Sequence, residues 1–222
     1  ILDHLEAIGI AEDTLVLFVG DNGSDAPLGP VHGHASSFPL RAKKGTHYEG
    51  GMRVPFIASW AKPSTKSKIQ KRLPIPAGAI QRQLGTVMDI YPTVLSVTGV
   101  QPPSGHTLDG TDLKTQIEGK QDTGRKEQFL MHFPHKHRSS YFTSYRDGDW
   151  KIIYHYRPND NPAKTQYELF NLVTDPYENE NLAGTKPKVL KRMMNSLAAS
   201  LQAESALYPV DANGSEMHPE VP

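Results

Sequence analysis

The sequence predicts an α/β fold that ends in a four-stranded antiparallel sheet covered by one helix. Three observations carry this prediction: an apolar run near the amino terminus that stops at a glycine, four short runs rich in aromatic and β-branched residues after residue 128, and a final helical repeat of apolar residues. Short apolar runs bounded by glycine are typical of buried strands, whereas apolar residues at every third or fourth position are typical of an amphipathic helix.

Helix and strand alternate in the first part of the chain. Apolar residues recur at helical spacing over residues 1–9 and stop at a glycine, which predicts a short helix. The run LVLFV, followed by another glycine, predicts a strand over residues 14–20 that is buried on both faces. Residues 54–60 predict a second strand, which opens near a proline.

A second helix is predicted over residues 86–97. Asp89 is its expected N-cap, Pro92 falls in the first turn, where proline is tolerated, and Gly99 ends it. The stretches between these elements are expected to be loops, and the first of them is long and rich in glycine, proline and histidine, as binding loops often are. The predicted loops are residues 21–53, 61–83 and 101–128.

From about residue 129 the pattern changes to short β-rich runs. In the third run, large apolar residues alternate with Lys151 and His155, as expected for a half-exposed antiparallel strand. The turn residues Asp147-Gly148-Asp149 before it indicate a hairpin. Apolar residues between Val189 and Leu201 share one face of the predicted final helix. The predicted strands are residues 129–133, 141–146, 150–156 and 167–172.

Composition excludes several classes of partner. The 222 residues carry 24 basic and 24 acidic side chains, so the net charge gives no electrostatic case for binding nucleic acid or an anionic membrane. No apolar stretch reaches the length of about 18 residues that a membrane span needs. The chain opens without the basic start of a signal peptide. Cysteine is absent, which excludes disulfides and zinc–thiolate sites.

Two short motifs suggest a site for an anionic ligand. Asp21 and Asn22 follow directly after the first predicted strand, and the loop at the carboxyl end of such a strand is where α/β sheets bind ligands. Their side chains offer two hard oxygen ligands for a cation. Lys44, farther along the same loop, offers a positive charge that could neutralise an anionic substrate. This combination suits a divalent cation that holds an oxyanion ester.

Residues 14–60, TLVLFVGDNG…PLRAKKGTHYEGGMRVPFIASW, resemble the second signature region of the formylglycine-dependent sulfatases, which belong to the alkaline-phosphatase superfamily. The resemblance implies that Asp21 and Asn22 ligate a calcium ion. It also implies that Lys44 contacts the sulfate and acts in catalysis. Ala42-Lys43 stand where the family usually has two glycines, so the register rests on the KGT and EGG elements that follow.

The same resemblance implies an alkaline-phosphatase-like sulfatase fold of which this chain is the carboxyl-terminal portion. Residues 1–128 are then expected to be the end of the catalytic domain, and residues 129–222 an antiparallel-sheet-plus-helix subdomain. Sulfatases use a formylglycine nucleophile made from a cysteine or serine in a C/S-x-P-S-R element, and this sequence contains no such element. The Asp-Asp pair that usually completes the calcium site is also missing. The missing amino-terminal half is therefore an expected partner, and the isolated chain is expected to be inactive.

The implied function is hydrolysis of a sulfate monoester, carried by a sulfated small molecule or a glycan, in a periplasmic or secreted enzyme. A phosphodiesterase or phosphonate hydrolase of the same superfamily is an alternative. Those enzymes commonly show Asp-His-Gly where this chain has Asp21-Asn22-Gly23, so the asparagine favours a sulfatase. A non-catalytic binding module is the third possibility, and a C/S-x-P-S-R element upstream would decide against it.

Histidines are clustered in two places. His132, His135 and His137 could suggest a metal cluster, but a substrate contact is the better functional interpretation for His135, because some sulfatases present a similar His-x-Pro-His loop to the active-site pocket. Three further histidines lie in the long first loop and are expected to be loop residues rather than catalytic acids. They are His32, His34 and His47.

Overall fold

The computed structural model describes residues 1–26, 36–136, 141–160 and 164–222. The helices are α1 (Leu2–Ala7), α2 (Glu49–Met52), α3 (Lys68–Arg72), α4 (Ile90–Thr98), α5 (Lys114–Ile117) and α6 (Pro187–Ala203). The strands are β1 (Leu15–Val19), β2 (Phe56–Trp60), β3 (Gln128–Phe133), β4 (Phe142–Asp147), β5 (Trp150–His155) and β6 (Tyr167–Asn171). Within the described ranges, none of the helices combines the length and the apolar character needed to cross a membrane.

The chain folds as two compact units. The first contains Ile1–Gly20 and Pro55–Glu127, and the second contains Asp21–Val54 and Gln128–Pro222. The long loop after β1 therefore belongs to the same unit as the carboxyl-terminal sheet. The predicted division into domains at residue 128 remains a prediction.

In the first unit, β1 and β2 form an antiparallel pair in which Leu15 lies opposite Trp60. Both predicted strands are present, but the prediction that β1 is buried on both faces is wrong. Phe18 on β1 is 59% exposed, because the described part of the chain leaves its face of the strand largely uncovered. The small core of this unit forms around Trp60, Leu73 and Val97.

The helix predicted over residues 86–97 is confirmed as α4, and Gly99 ends it in the left-handed conformation (φ 78°). Asp89 occupies the predicted N-cap position of α4, but its side chain makes no capping hydrogen bond to that helix. Its carboxylate instead accepts the backbone N–H groups of Thr86 at 2.6 Å and Thr111 at 2.7 Å, and it pairs with Arg125. The short helices α3 and α5 lie in stretches predicted to be loops.

The second unit contains the predicted four-stranded sheet. Its strands are antiparallel in the order β3-β4-β5-β6. Helix α6 packs on one face, where Met193 and Leu197 of the helix meet Ile152 and Leu169 of the sheet, all of them fully buried. The predicted sheet covered by one helix is confirmed.

The opposite face of the sheet is also covered. Lys151, Ile153 and His155 point away from α6 and are at most 2% exposed, so the prediction that β5 is half-exposed is wrong. The covering residues come from the loop after β1, since Tyr48 packs with Ile153 and Phe170 in a second apolar cluster. Residues 41–53, called the lysine segment below because it carries Lys44, therefore form a second layer on the sheet.

Candidate active site

The two motifs that sequence analysis singled out are joined through the backbone. The N–H of Gly23 donates to the carbonyl of Gly51 at 2.9 Å, and the N–H of Lys44 donates to the carbonyl of Ser24 at 3.0 Å. These bonds hold the turn that carries Asp21 and Asn22 alongside the lysine segment. The structure thus brings together the two stretches of chain that were predicted to share a site.

Glycines permit this close approach. A side chain on Gly23 would place its Cβ 1.9 Å from the carbonyl oxygen of Gly50, and a Cβ on Gly51 would lie 2.4 Å from the carbonyl oxygen of Thr46. Neither contact can be relieved by moving a side chain, because the opposing atoms belong to the backbone. Gly23 is therefore required by packing between the two motifs, and Gly51 by packing within the lysine segment.

A serine completes the junction. The hydroxyl of Ser37 donates to the carbonyl of Gly50 at 2.7 Å and accepts the N–H of Ser24 at 3.1 Å. One side chain thus bonds to both stretches, which satisfies backbone groups of each. Sequence analysis gave no signal for Ser37, since an isolated serine in a loop has many interpretations.

The side chains of the predicted site differ in what they contact. Asp21 and Lys44 are exposed and Asn22 is half-buried. Lys43 is half-buried and its ammonium donates to the carbonyl of Asp25 at 3.2 Å. Among the described residues, the Lys44 ammonium makes neither a hydrogen bond nor an ion pair, so it is available to a ligand. The metal-binding role of Asp21 and Asn22 and the sulfate-binding role of Lys44 remain predictions.

The histidines named in the sequence analysis differ in their exposure and in their contacts. His135 is exposed and its ring lies 4.2 Å from that of Phe133, and its predicted contact with substrate remains a prediction. His132 is occupied within the protein, because one ring nitrogen lies 2.7 Å from the Thr143 hydroxyl and the other 2.6 Å from the Leu207 carbonyl oxygen. The predictions for His32, His34 and His137 fall outside the described residues.

Between the lysine segment and the sheet lies a set of charged side chains, all but the half-buried Arg41 buried, that sequence analysis missed. We call it the buried charge cluster, and its members are Arg41, Glu49, Lys151, Glu168 and Glu178. The Lys151 ammonium lies 2.9 Å from Glu49 and 2.8 Å from Glu178, and Glu178 also accepts the backbone N–H of Glu49 at 2.6 Å. Glu49 is therefore held through both its carboxylate and its backbone N–H.

The other half of the buried charge cluster centres on Glu168. Its carboxylate lies 3.3 Å from the Arg41 guanidinium and accepts the Tyr48 hydroxyl at 2.7 Å. Arg41 also donates to the Tyr48 hydroxyl at 3.1 Å and to the backbone carbonyl of Glu178 at 2.9 Å, and its guanidinium lies 3.8 Å from the centre of the Tyr48 ring. Arg41 is therefore fixed by an ion pair, two hydrogen bonds and a cation–π contact.

The carboxyl groups of the buried charge cluster respond differently to burial. Burial acts to raise the pKa of Glu168, but the hydrogen bonds from His155 and Tyr48 outweigh it, so that this pKa is lowered. Burial raises the pKa of Glu178, and the nearby Lys151 offsets only part of the effect. Glu168 is thus held as a carboxylate by its partners, whereas Glu178 lies closer to protonation.

His47, His155 and Glu168 form a compact buried group, with one donor atom of each within 4.8 Å of the others. Desolvation lowers the pKa of His47, as do the neighbouring His155, Lys151 and Arg41. Two histidines and a carboxylate are a possible metal-ligand set, but the adjacent Arg41 and Lys151 supply positive charge there already. The His47 ring packs 4.3 Å from the rings of both Tyr48 and Phe142, so we interpret it as part of the packed core.

Comparison of the sequence with known proteins shows which proteins this chain is similar to. The family model described as Sulfatase matches residues 1–100. A sulfatase of Formosa agariphila is 30% identical over 233 residues, which cover 98% of this chain and 38% of that protein. The N-acetylgalactosamine-6-sulfatase of the dog is 41% identical over 125 residues, or 56% of this chain and 22% of that protein.

Comparison with solved structures gives a similar result. A structure described as a complex with its substrate D-glucosamine-2-N,6-O-disulfate superimposes with a TM-score of 0.65 and 26% identity, and the match covers 92% of this chain and 37% of that chain. This chain is therefore similar in sequence and fold to part of a sulfatase, which confirms the predicted family resemblance. It spans between about a fifth and two fifths of the length of these curated relatives.

Proposed function

We propose that this chain forms the metal-binding and sulfate-binding side of a sulfatase that hydrolyses a sulfate monoester. The observation that carries the proposal is the backbone junction between the Asp21-Asn22-Gly23 turn and the lysine segment, in a chain whose relatives are sulfatases. It joins the stretch of chain that carries oxygen ligands for a cation to the stretch that carries Lys44, whose ammonium has no partner among the described residues. Such a pair of features suits a substrate that carries negative charge.

The donor set fits a calcium ion. Asp21 supplies a carboxylate and Asn22 an amide carbonyl, which are the oxygen ligands that calcium prefers. Because calcium takes about six to eight oxygen ligands, the rest of its coordination has to come from other groups. When bound, the ion would supply positive charge that polarises the sulfate ester. Asp21 and Asn22 would hold it at the edge of the site.

Lys44 is proposed to bind the sulfate directly. Its ammonium would form charge-assisted hydrogen bonds with sulfate oxygens and stabilise the negative charge that shifts onto oxygen as the ester bond breaks. Lys43 would take no part, because its ammonium already bonds to the Asp25 carbonyl. His135 would contact the substrate from the loop after β3.

The chemistry also needs a group that this chain lacks. The sequence contains neither cysteine nor a C/S-x-P-S-R element, so a formylglycine nucleophile would have to come from outside these 222 residues. We propose a sulfated sugar as the substrate class, since one structural relative is described in complex with D-glucosamine-2-N,6-O-disulfate. A periplasmic or secreted location is proposed from the resemblance alone.

The test is hydrolysis of an aryl sulfate by the complete polypeptide that contains this chain. Lys44→Ala should lower kcat by about 10²–10³-fold, the usual cost of removing one oxyanion-stabilising donor. Lys43→Ala is the matched control and should stay within a few-fold of the original enzyme. The chain of residues 1–222 alone should show no turnover. An unchanged kcat for Lys44→Ala, together with a large loss of kcat for Lys43→Ala, would contradict the proposed register of the site.

A further inference from the structure

We propose that the buried charge cluster positions Lys44, so that Arg41, Tyr48 and Glu49 act in catalysis through Lys44 without contacting the substrate. This inference rests on the proposed role of Lys44. The geometry that supports it is the placement of these residues on both sides of Lys44 in the chain. Arg41 precedes it, Tyr48 and Glu49 follow it, and all three bond to the same face of the sheet.

The bonds fix the lysine segment at both ends. On the amino-terminal side, Arg41 pairs with Glu168 of β6 and donates to the Glu178 carbonyl. On the carboxyl-terminal side, Glu49 pairs with Lys151 of β5, and its backbone N–H donates to the Glu178 carboxylate. The eight steps of chain between Arg41 and Glu49 are thereby tied to a rigid sheet, and Lys44 lies near their middle.

Internal bonds then leave the segment little freedom. The N–H of Gly50 donates to the Arg41 carbonyl at 2.8 Å, and the N–H of Thr46 donates to the Lys43 carbonyl at 3.2 Å. The backbone of Lys44 itself donates to Ser24 in the turn that carries the predicted metal ligands. The bonds of the buried charge cluster therefore fix Lys44, and with it the turn that carries Asp21 and Asn22, at one position on the sheet.

Tyr48, which bonds to two members of the buried charge cluster, is the most informative residue to change. Its hydroxyl bonds to both Arg41 and Glu168, whereas its ring packs beneath the Arg41 guanidinium. Tyr48→Phe removes the two hydrogen bonds and keeps the ring, so the fold is expected to survive. Tyr156→Phe is the matched control, because Tyr156 is equally buried and its hydroxyl bonds to Thr143 at 2.9 Å, away from the buried charge cluster.

The experiment is a double-mutant cycle in the complete polypeptide, read as kcat and KM for an aryl sulfate. Tyr48→Phe should lower kcat by between about tenfold and hundredfold, since small displacements of a catalytic group cost this much. The same change should have no further effect in a Lys44→Ala background, whereas Tyr156→Phe should be silent in both. A parallel measurement of thermal unfolding shows whether the variant is folded.

Three outcomes would overturn the inference. An unchanged kcat for Tyr48→Phe would show that the hydroxyl does not position Lys44. Equal losses in the original and Lys44→Ala backgrounds would show that Tyr48 acts by another route. A silent Lys44→Ala would instead remove the proposed role of Lys44 itself, and the positioning role with it.

Discussion

The two faces of the carboxyl-terminal sheet are covered by opposite kinds of chemistry. On one face, α6 packs through apolar side chains such as Met193 and Leu197. On the other face, the lysine segment is held by buried charged side chains. Among them, the Lys151 ammonium lies between the carboxylates of Glu49 and Glu178. The first face follows from an apolar helical repeat, and the second requires a particular partner for each charge.

This difference teaches how one sheet can serve both stability and placement. Apolar contacts are non-directional, so that side chains of similar volume can replace one another at modest cost. Buried ion pairs are directional, and a charge that loses its partner in a buried site is costly. We therefore interpret the apolar face as the source of stability and the charged face as the element that sets the position of Lys44.

Exchanging one buried residue on each face gives the largest expected effect. Lys151→Met should lower the free energy of unfolding by about 3–5 kcal/mol, because it leaves Glu49 and Glu178 buried without their cation. Leu197→Met, on the apolar face, should cost less than about 1.5 kcal/mol. Denaturant unfolding of the two variants measures both values. Equal costs would show that the two faces do not differ in the proposed way.

A fall in pH should have the second largest effect, because it removes stability that His47 contributes on the charged face. Desolvation, together with His155, Lys151 and Arg41, lowers the pKa of His47 below its ordinary value of 6.5. The unfolded chain then takes up a proton at a higher pH than the folded chain. The stability contributed by neutral His47 is therefore complete above pH 6.5 and declines as the pH falls, by at most about 1.4 kcal/mol per pH unit.

A variant isolates this contribution. Glu178 acts in the opposite sense because its pKa is raised, and Glu168 loses its contribution at lower pH because its pKa is lowered. Both are present in the original chain and in His47→Gln, so the difference in unfolding free energy between the two reports on His47. That difference should change in favour of His47→Gln between about pH 7.5 and pH 5. A difference that does not vary with pH would contradict the assignment.

An exposed ion pair should have the smallest effect. Arg192 of α6 lies 3.2 Å from Asp147, with side-chain exposures of 50% and 28%. Because water screens such a pair, Arg192→Ala should cost less than about 1 kcal/mol in unfolding free energy. A cost similar to that of Lys151→Met would remove the distinction between buried and exposed charges on which the comparison depends.

Much of the fold could be predicted from local pattern. The four strands, their hairpin turn and the final helix follow from alternation and helical spacing, which depend only on neighbouring residues. Burial could not be predicted in the same way. Phe18 is exposed although it belongs to an apolar run, and Lys151 is buried although lysine is mostly a surface residue. Both outcomes depend on which distant segment covers the strand.

The candidate site was predictable where it consists of motifs. Asp21, Asn22 and Lys44 stood out through short signatures, and the structure joins the stretches that carry them. The buried charge cluster was not predictable, because its ion pairs join residues far apart in the chain, such as Arg41 with Glu168. Lys151 was the one signal of this cluster in the sequence, because it lies within a mostly apolar strand. The same position also fitted a half-exposed strand, in which the lysine would face solvent.

The most direct test of the account is hydrogen exchange of backbone amides in the chain of residues 1–222. The bonded amides of Gly50 and Gly51 report on the lysine segment, and the amides of α6 report on the apolar face. Lys151→Met should speed exchange more in the lysine segment than in α6, and Leu197→Ala should speed it more in α6 than in the lysine segment. Loss of protection in both regions alike, in both variants, would contradict the claim that the charged face holds Lys44 in place.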